Sequence, residues 1–520
     1  MDQATKLIDS IPLPKFDRRE VLPVVSIAVA ASMFYASYCV LSSGQKKQKF
    51  KEIPVPGSAY PYVGHMMSLG EIPGRTVAKW HDELGPIIKL RMGVQNWFMI
   101  SDPTLAHKVF VKKGAETSSR PHNVFSHDHH SIGGMGISFS QPNGRWKVSR
   151  AAAISVLGPK RVEAYMPLIQ QESKELVNRL IESSESEGSV NPFVDLELNS
   201  MNIMFKSTFG RRFDSIQHPE FVKLTQIIEA TMKHCALEND LANFLPIVSV
   251  FDYFFGSQSE QKDFIKNERN PFFRRLVKEA EQAEGPNVVK SLVEDGFALT
   301  DDETMVLTSD LIIAGTDTVS VSLSWNIAIL CRHPDVQYKI FAEIDNFIEL
   351  NGRIPHFNER SHLPYCISVM KECMRYRPVT PFGLPHTTHE DLYIDNYMIP
   401  KGSTIISSMD SLHKRADLYP NPETFIPERF MNNLKTMQSA ANGRLENRDH
   451  YNFGWGRRMC PAIYLAETEI FSAFVQIYSR CFIEPTSDGF PDIDDARVGS
   501  LTIAPVNFKV KFTKRSNALV

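Results

Sequence analysis

Three short runs hold residues whose types and spacing suit chemistry. The first is Tyr451-Asn-Phe-Gly-Trp-Gly-Arg-Arg-Met-Cys460-Pro-Ala-Ile-Tyr-Leu-Ala-Glu467, an aromatic, glycine-rich loop that runs into a cysteine and then an apolar helical pattern opened by Pro461. Proline is favoured at a first helical position. Cys460 is therefore expected at a helix N-terminus, where free N–H groups and partial positive charge stabilise a thiolate. Glycines let the backbone approach closely and offer their N–H groups to the sulfur. Such a loop suits a thiolate bound to a metal-containing cofactor; a buried structural cysteine after a turn is the alternative that the residues alone leave open. The second run, Ala314-Gly-Thr-Asp-Thr318, interrupts a long helical pattern with glycine and β-branched polar residues, which weaken a helix interior. Its carboxyl and hydroxyl, adjacent at a polar bend, suit a proton relay. The third, Glu372-Cys-Met-Arg375, brings an acid and a guanidinium together at i,i+3 on one helix face.

Other chemistries are weakened by the composition. The chain has 520 residues and a formal net charge of -3, which argues against nucleic acid, whose phosphates demand a cationic surface. Its seven cysteines, Cys39, Cys235, Cys331, Cys366, Cys373, Cys460 and Cys481, include no C-x-x-C pair, so neither a disulfide framework nor a closed zinc site is expected. No P-loop or dinucleotide-binding fingerprint appears, and Gly133-Gly-Met-Gly136 follows no clear strand and reads as a loop.

Helical patterns must position the reactive runs. They cover Lys160–Ser183, Pro219–Cys235, Asn270–Ala283, Asp301–Arg332, Pro334–Leu350, Pro364–Arg375 and Pro461–Cys481. The pattern from Asp301 opens with the capping box Thr300-Asp-Asp-Glu303 and spans on the order of 48 Å, enough to cross a whole domain. Short strand patterns lie at Ile87–Met92, Trp97–Ile100, Leu392–Ile394, Tyr397–Ile399, Thr404–Ser407 and Val506–Phe512, with a hairpin turn at Asp395-Asn396. Glu182–Val190, Gly256–Lys262 and Asn432–Asp449 read as loops. The sum is a mainly α fold with a small, antiparallel β region (α+β).

Val21–Leu41 carries no charged residue over 21 positions, about 30 Å as helix, which is long enough to cross a bilayer core. No later stretch is expected to span. Residues 1–20 form an N-terminal segment, 21–43 a transmembrane anchor, 44–59 a Pro-rich linker stiffened by Pro54, Pro56 and Pro61, and 60–520 one catalytic domain. Lys/Arg counts on the two sides tie; the denser lysines at 46, 47, 49 and 51 favour a cytosolic body.

F-x-x-G-x-R-x-C, filled by Phe453, Gly456, Arg458 and Cys460, resembles the heme-ligand loop of the cytochromes P-450. Ala462 stands where that family usually has glycine. Glu372-x-x-Arg375, Pro427-Glu-Arg429-Phe430, Trp146-x-x-x-Arg150 and Ala314-Gly-x-Asp317-Thr318 match further family motifs in the family's order. The resemblance covers almost the whole chain and is to the eukaryotic microsomal type, with fungal relatives.

The resemblance implies the following roles. Cys460 is the axial ligand of the iron of heme b. Asp317 and Thr318 organise water and deliver protons. Glu372, Arg375 and Arg429 form a buried triad that supports the heme pocket. Trp146 and Arg150 bond a heme propionate, with Arg458, Arg120 and His386 as further propionate partners. The reaction implied is monooxygenation: RH plus O2 plus two electrons gives ROH plus water. Electrons are expected from a separate NADPH-dependent cytochrome P-450 reductase at the endoplasmic-reticulum membrane, since no flavin or ferredoxin domain is seen; Arg145, Lys147, Lys414, Arg415 and Arg457 are candidates for its docking face. The substrate is expected to be a lipophilic small molecule, a steroid first, with a fatty acid, secondary metabolite or xenobiotic as alternatives, in a pocket lined by Ile312, Ala314, Val379 and Phe382. Two other functions stay open: a heme-thiolate isomerase or dehydratase that needs no O2, and a non-catalytic membrane-anchored heme protein. His127-Asp-His-His130 could bind zinc by composition, but is expected to be a solvated or substrate-facing loop.

Overall fold

A computed structural model describes residues 50–235, 240–248, 257–499, 501–516 and 518. The expected anchor, Val21–Leu41, lies outside these residues. The chain divides into two units, Met1–Lys51 and Glu52–Val520; the second is described here.

Its longer elements are α1 (Pro73–Leu84), β1 (Ile87–Met92), β2 (Gln95–Ile100), α2 (Gly144–Leu157), α3 (Pro159–Glu187), α4 (Phe193–Phe209), α5 (Pro219–His234), α6 (Ser257–Phe264), α7 (Asn270–Gln282), α8 (Asp301–Cys331), α9 (Pro334–Asn351), α10 (Pro364–Tyr376), β3 (His386–Thr387), β4 (Leu392–Ile394), β5 (Tyr397–Ile399), β6 (Thr404–Ser407), α11 (Ile463–Arg480), β7 (Cys481–Pro485), β8 (Ala496–Gly499), β9 (Thr502–Pro505) and β10 (Val510–Lys514). Mainly helical with small sheets, it has the expected fold class.

Helix α8 is the axis of the fold. Thr300 caps it: the Thr300 hydroxyl accepts from the Glu303 N–H, and the Glu303 side chain reaches back to the Thr300 N–H. Three acidic residues in the first turn complement the helix dipole. It packs against α4, α7, α10, α11 and β9. Trp325, 1% exposed, buries its ring and donates its indole N–H to the Ile503 carbonyl at 2.7 Å; burial of such a side chain is worth about 1.5–3 kcal/mol. Helix α8 is also long and apolar enough to cross a membrane, which corrects the expectation that no later stretch is. It lies mostly buried inside the fold, where an all-round apolar helix is satisfied by protein neighbours.

The main sheet has the order β1-β2-β6-β3. Its β2 and β6 pair in parallel, Phe98 opposite Ile405, so the β region is not purely antiparallel as expected; strands so far apart in sequence are free to pair either way. The β4–β5 hairpin turns at Asp395, whose φ of 49° is a left-handed value that Asp tolerates. The final strand starts at Val510 rather than Val506, because its register is set by β7, with Val510 opposite Pro485. Two stretches expected as loops are helical in part: α3 runs on to Glu187 and stops at Gly188, φ 80°, and α6 occupies Ser257–Phe264. In the third, Met437–Asn442 forms a short helix capped by Thr436.

Candidate functional site

A cavity of about 300 Å³ lies between the middle of α8 and the start of α11. Ala314, Gly315, Thr318, Val319 and Ser322 line it from α8; Phe453, Gly454, Arg458, Cys460 and Ala462 line it from the loop before α11. Thus the two halves of the sequence pattern, some 140 residues apart, face one space.

Cys460 sits in the turn before α11, which begins at Ile463 with Ala462 as its N-terminal boundary. The helix starts two residues later than Pro461 suggested. The Cys460 N–H donates to the Phe453 carbonyl at 2.9 Å, closing the loop on itself. Burial pushes the thiol up, while a hydrogen bond from the Ala462 backbone and the nearby Arg150 pull it back towards the thiolate. The sulfur is therefore supported by Ala462, not by a glycine. Gly456 has a different task from the one expected: at φ 52° it presses against Phe110, whose carbonyl oxygen would lie 2.3 Å from any Cβ placed there. It lets the loop approach its neighbour and does not line the cavity.

Three cavity-lining arginines converge without a carboxylate partner among the described residues. Arg120 donates to the carbonyls of Ser138, Leu384 and Pro385 at 3.0, 3.0 and 2.7 Å. Arg458 donates to Ser118, Ile137 and Ser140 at 2.8, 3.2 and 2.6 Å. Arg150 donates to the Met459 carbonyl. Burial holds all of them down: Arg458 falls to about 9 through burial, Arg150 and Arg457, Arg120 well below its usual value through burial, Arg458 and Arg150, and Arg150 through burial against the opposing pull of Cys460. So much buried positive charge without an anion is costly. It matches a cofactor that brings its own carboxylates.

His386 lines the same space, with Nδ1 2.8 Å from the Thr117 carbonyl. A carbonyl only accepts, so Nδ1 carries the proton and Nε2 is left as an acceptor in the neutral ring. Burial and the two arginines 120 and 458 keep the ring neutral. Trp146 is not in the cavity wall; its indole N–H donates to Ile137 at 3.2 Å, and the Arg458 guanidinium lies 4.3 Å above its ring. Its place is beneath the arginine, as a cation–π support.

Thr318 faces the cavity and donates its hydroxyl to the Ala314 carbonyl at 2.8 Å. Asp317 does not line the cavity. Its carboxyl is raised by burial and is held by the Thr502 side chain, with Arg497 nearby. Glu197 on α4 stands in the same surroundings, pushed up to about 7 by burial and by Asp317.

Behind the cavity, Arg375 donates twice to Glu372, at 2.7 and 2.9 Å, and Arg429 donates to the same carboxylate at 3.0 Å. Backbone carbonyls of His413 and Pro422 take further Arg375 protons. The pair and its second arginine are together as the family resemblance implied.

Of the apolar residues expected in the wall, Ala314, Val379 and Phe382 are there; Ile312 is buried in the core instead, on another face of α8. Sequence reasoning missed two acids that line the cavity. Asp310, one turn before Ala314, accepts from His130 Nε2 at 3.1 Å and from the N–H groups of Ile137 and Ser138. Glu469 on α11 is 1% exposed, has an unpartnered Oε2, and is pushed far up by burial. The i−4 spacing of Asp310 from Ala314 was a usable signal; Glu469 falls on an otherwise apolar helix face and was legible in the same way. A second cavity of about 280 Å³ shares Arg120, Phe382, Gly383 and Leu384 with the first and adds Trp97, Phe244 and His122.

Comparison with known proteins agrees with this geometry. The family model described as Cytochrome P-450 matches residues 54–512. A cytochrome P-450 monooxygenase of Mycosarcoma maydis is 27% identical over 514 residues, 94% of this chain and 92% of that protein. A cytochrome P-450 monooxygenase of Clonostachys rogersoniana is 23% identical, covering 92% and 90%. A cytochrome P-450 of the 1A1 type from Opsanus tau is 24% identical, covering 88% and 89%.

Proposed function

The chain belongs to the cytochrome P-450 family, a heme-thiolate monooxygenase class whose cofactor is heme b, and from that membership we infer what its own residues do. Cys460 would hold the heme iron through its thiolate. The observation that carries this reading is the sulfur facing a cavity that three carboxylate-free arginines also face. When bound, the heme supplies activation of dioxygen and transfer of one oxygen atom to a C–H bond: RH + O2 + two electrons + two protons give ROH + H2O.

The remaining work belongs to the protein. Arg120, Arg150 and Arg458 receive the propionates, and each donates from a planar guanidinium suited to a carboxylate. Trp146 orients Arg458 from below. Glu372, Arg375 and Arg429 tie α10 to the stretch 413–426 that precedes the loop of Cys460: Arg375 donates to the His413 and Pro422 carbonyls, and the Ile426 N–H donates to Glu372 at 2.8 Å. Thr318 holds a proton at Oγ1 on the cavity side, and Asp317 replenishes it from the other side of the helix turn.

The substrate is a lipophilic small molecule. The apolar walls offered by Ala314, Leu311, Val379 and Phe382 support that class, with a steroid the first candidate and fatty acids, secondary metabolites and xenobiotics the others. Electrons come from an NADPH-dependent reductase. Of the five candidate docking residues, Lys147 and Arg457 are exposed with no carboxylate partner among the described residues. Arg145 pairs with Glu303 at 3.0 Å, Lys414 with Asp410 at 3.7 Å, and Arg415 with Asp102 at 3.3 Å, so those three are partly committed. We place the protein at the endoplasmic-reticulum membrane, single-pass through Val21–Leu41, with the catalytic domain cytosolic.

The carbon-monoxide difference spectrum of the reduced protein tests the central assignment. The red-shifted thiolate band is expected in the wild type and absent in Cys460→His. Its absence from the wild type overturns Cys460 as ligand.

A further inference from the structure

The histidine-rich run that the catalytic reading leaves unused is divided by the fold into two parts. His130 turns inward, 2% exposed, and binds Asp310 on α8. His127 and Asp128 turn outward and meet His122 from the preceding stretch. His127 Nδ1 lies 2.8 Å from Asp128 Oδ1, and His122 Nε2 lies 3.1 Å from the same oxygen. One nitrogen of each ring and the carboxylate oxygen all fall within 4.8 Å of one another. We propose that His122, His127 and Asp128 form a binding site for a borderline divalent cation, zinc(II) above all, on the segment that walls the heme cavity.

Donor type supports that ion. Two imidazoles and one carboxylate are a common three-ligand set for zinc, leaving the fourth position to water. In a tetrahedral site with bonds of 2.0–2.1 Å the ligand atoms stand about 3.3 Å apart. The two observed edges are within about half an ångström of that, and the third lies within 4.8 Å, so the three side chains already converge on one small space. A hard cation such as calcium prefers six or more oxygens, and only one side-chain oxygen residue is offered here.

The scaffold is already ordered for the purpose. The Asn123 side chain accepts from the Ser126 N–H at 2.7 Å and donates to Asp240 at 2.7 Å. Asn243 donates to the His122 carbonyl at 2.6 Å. Asn123 thus caps the tight π-helical turn Val124–His130, and His130 fastens its far end to α8. The His127 ring lies over Gly134, φ 100°, where an added Cβ would come within 3.2 Å of Nε2. That glycine leaves room for the ring to keep Nδ1 on the site. Electrostatics agree: partial burial works the other way, but the hydrogen bonds from His127 and His122 hold the Asp128 carboxyl below its usual range. The His122 and Asp128 side chains are exposed and His127 is partly buried, so an ion can enter from their side.

The consequence is mechanical. The segment from Arg120 to His130 begins at one cavity-lining residue and ends on a partner of another, Asp310. A cation joining its first third to its last third braces the segment between those two attachments.

Equilibrium dialysis of the heme-loaded chain against zinc(II) at micromolar concentration, with bound zinc counted per heme iron, tests the site. One zinc per chain is expected at pH 7.5. Its affinity should drop at least tenfold in His122→Ala, His127→Ala and Asp128→Asn and stay unchanged in His129→Ala. Copper(II) loaded in place of zinc should show coupling to two imidazole nitrogens in its electron paramagnetic resonance spectrum. Amide exchange over residues 122–133 should slow on zinc addition in the wild type only. No saturable zinc below about 100 μM, where such sites bind, or less than a threefold change in the His122 and His127 variants, overturns the proposal.

Discussion

Asp317 and Thr318 are neighbours in α8 that face different surroundings: the Thr318 hydroxyl opens on the heme cavity and the Asp317 carboxyl is bonded to Thr502 outside it. A proton that reaches Thr318 through Asp317 therefore crosses the helix turn between them. Beyond Asp317 lies Glu197 on α4, with the exposed Arg497 of β8 near both. Arg497 acts on both carboxyls, Asp317 acts on Glu197, and both carboxyls have a raised affinity for protons.

This coupling has a pH signature. Burial and Asp317 bring Glu197 up to about 7, with Arg497 opposing and Glu229 adding to the rise. Below that value Glu197 is neutral and carries a proton to pass inward; above it the proton is lost. Product formed per NADPH consumed should fall between pH 6 and 8 with a midpoint near 7. Asp317→Asn removes the negative neighbour, so the Glu197 carboxyl band in infrared titration should move to lower pH. The same variant should slow product formation on the order of 10²-fold, the low end for a lost acid–base group. An unmoved Glu197 midpoint would show that the two carboxyls are uncoupled.

The three carboxylate-free arginines make a separate claim about cofactor retention. A hydrogen bond to a charged group contributes about 1.5–3 kcal/mol, so Arg458→Ala should speed heme loss to a scavenging apoprotein by roughly 10- to 100-fold. Arg458→Lys keeps the charge but not the fork geometry and should fall between. Heme binding should also raise the affinity of His386 for a proton, because the propionate charge offsets Arg120 and Arg458, which now lower it together with burial. Histidine ring NMR signals with and without heme measure this directly.

Burial sets the size of the ion-pair effects. Glu372 and Arg375 are fully shielded, and breaking such a pair from one side leaves an uncompensated buried charge worth about 3–5 kcal/mol. Arg375→Leu should destabilise by that much and release heme. Lys223 and Glu268 are also a pair, at 2.6 Å, but both are over a third exposed. Lys223→Ala should cost no more than about 0.5 kcal/mol. Urea unfolding of the two variants, side by side, checks the contrast.

What the sequence showed and what it hid follow from range. Local patterns were legible: the Thr300 capping box, the β4–β5 hairpin at Asp395 and the Cys460 loop are each set by residues within a few positions of one another. Helix α4 escaped notice because it is buried almost all round, so its apolar residues show no 3.6-residue period. The Val510 start of the last strand and the parallel β2–β6 pairing depend on partners elsewhere in the chain. In the site, the motifs of the family resemblance pointed to Cys460, Arg458 and Thr318, all of which line the cavity. They also pointed to Gly456, Trp146 and Asp317, which stand behind it; a motif records that a residue is needed, not which way its side chain faces. The outward meeting of His122 with His127 and Asp128 depended on a π-helical turn, which changes the residues that share a face.

Glu469 offers the last test, one of stability. It is 1% exposed, its Oε2 has no partner, and burial alone raises its affinity for a proton well above the ordinary carboxyl value of 4.5. In the unfolded chain the group ionises through its usual range; in the folded chain it stays neutral. Above pH 4.5 the native state therefore holds a proton that the unfolded state has released, and stability falls as pH rises, by about 1.4 kcal/mol per unit until the folded group itself titrates. Glu469→Gln keeps the shape and removes the titration. Wild type and variant should melt at similar temperatures at pH 4, where the carboxyl is largely neutral in both states. The variant should pull ahead steadily at pH 6, 7 and 8. A constant gap across that range would mean that Glu469 is ionised in the folded protein, and that some partner in the cavity pays for its charge.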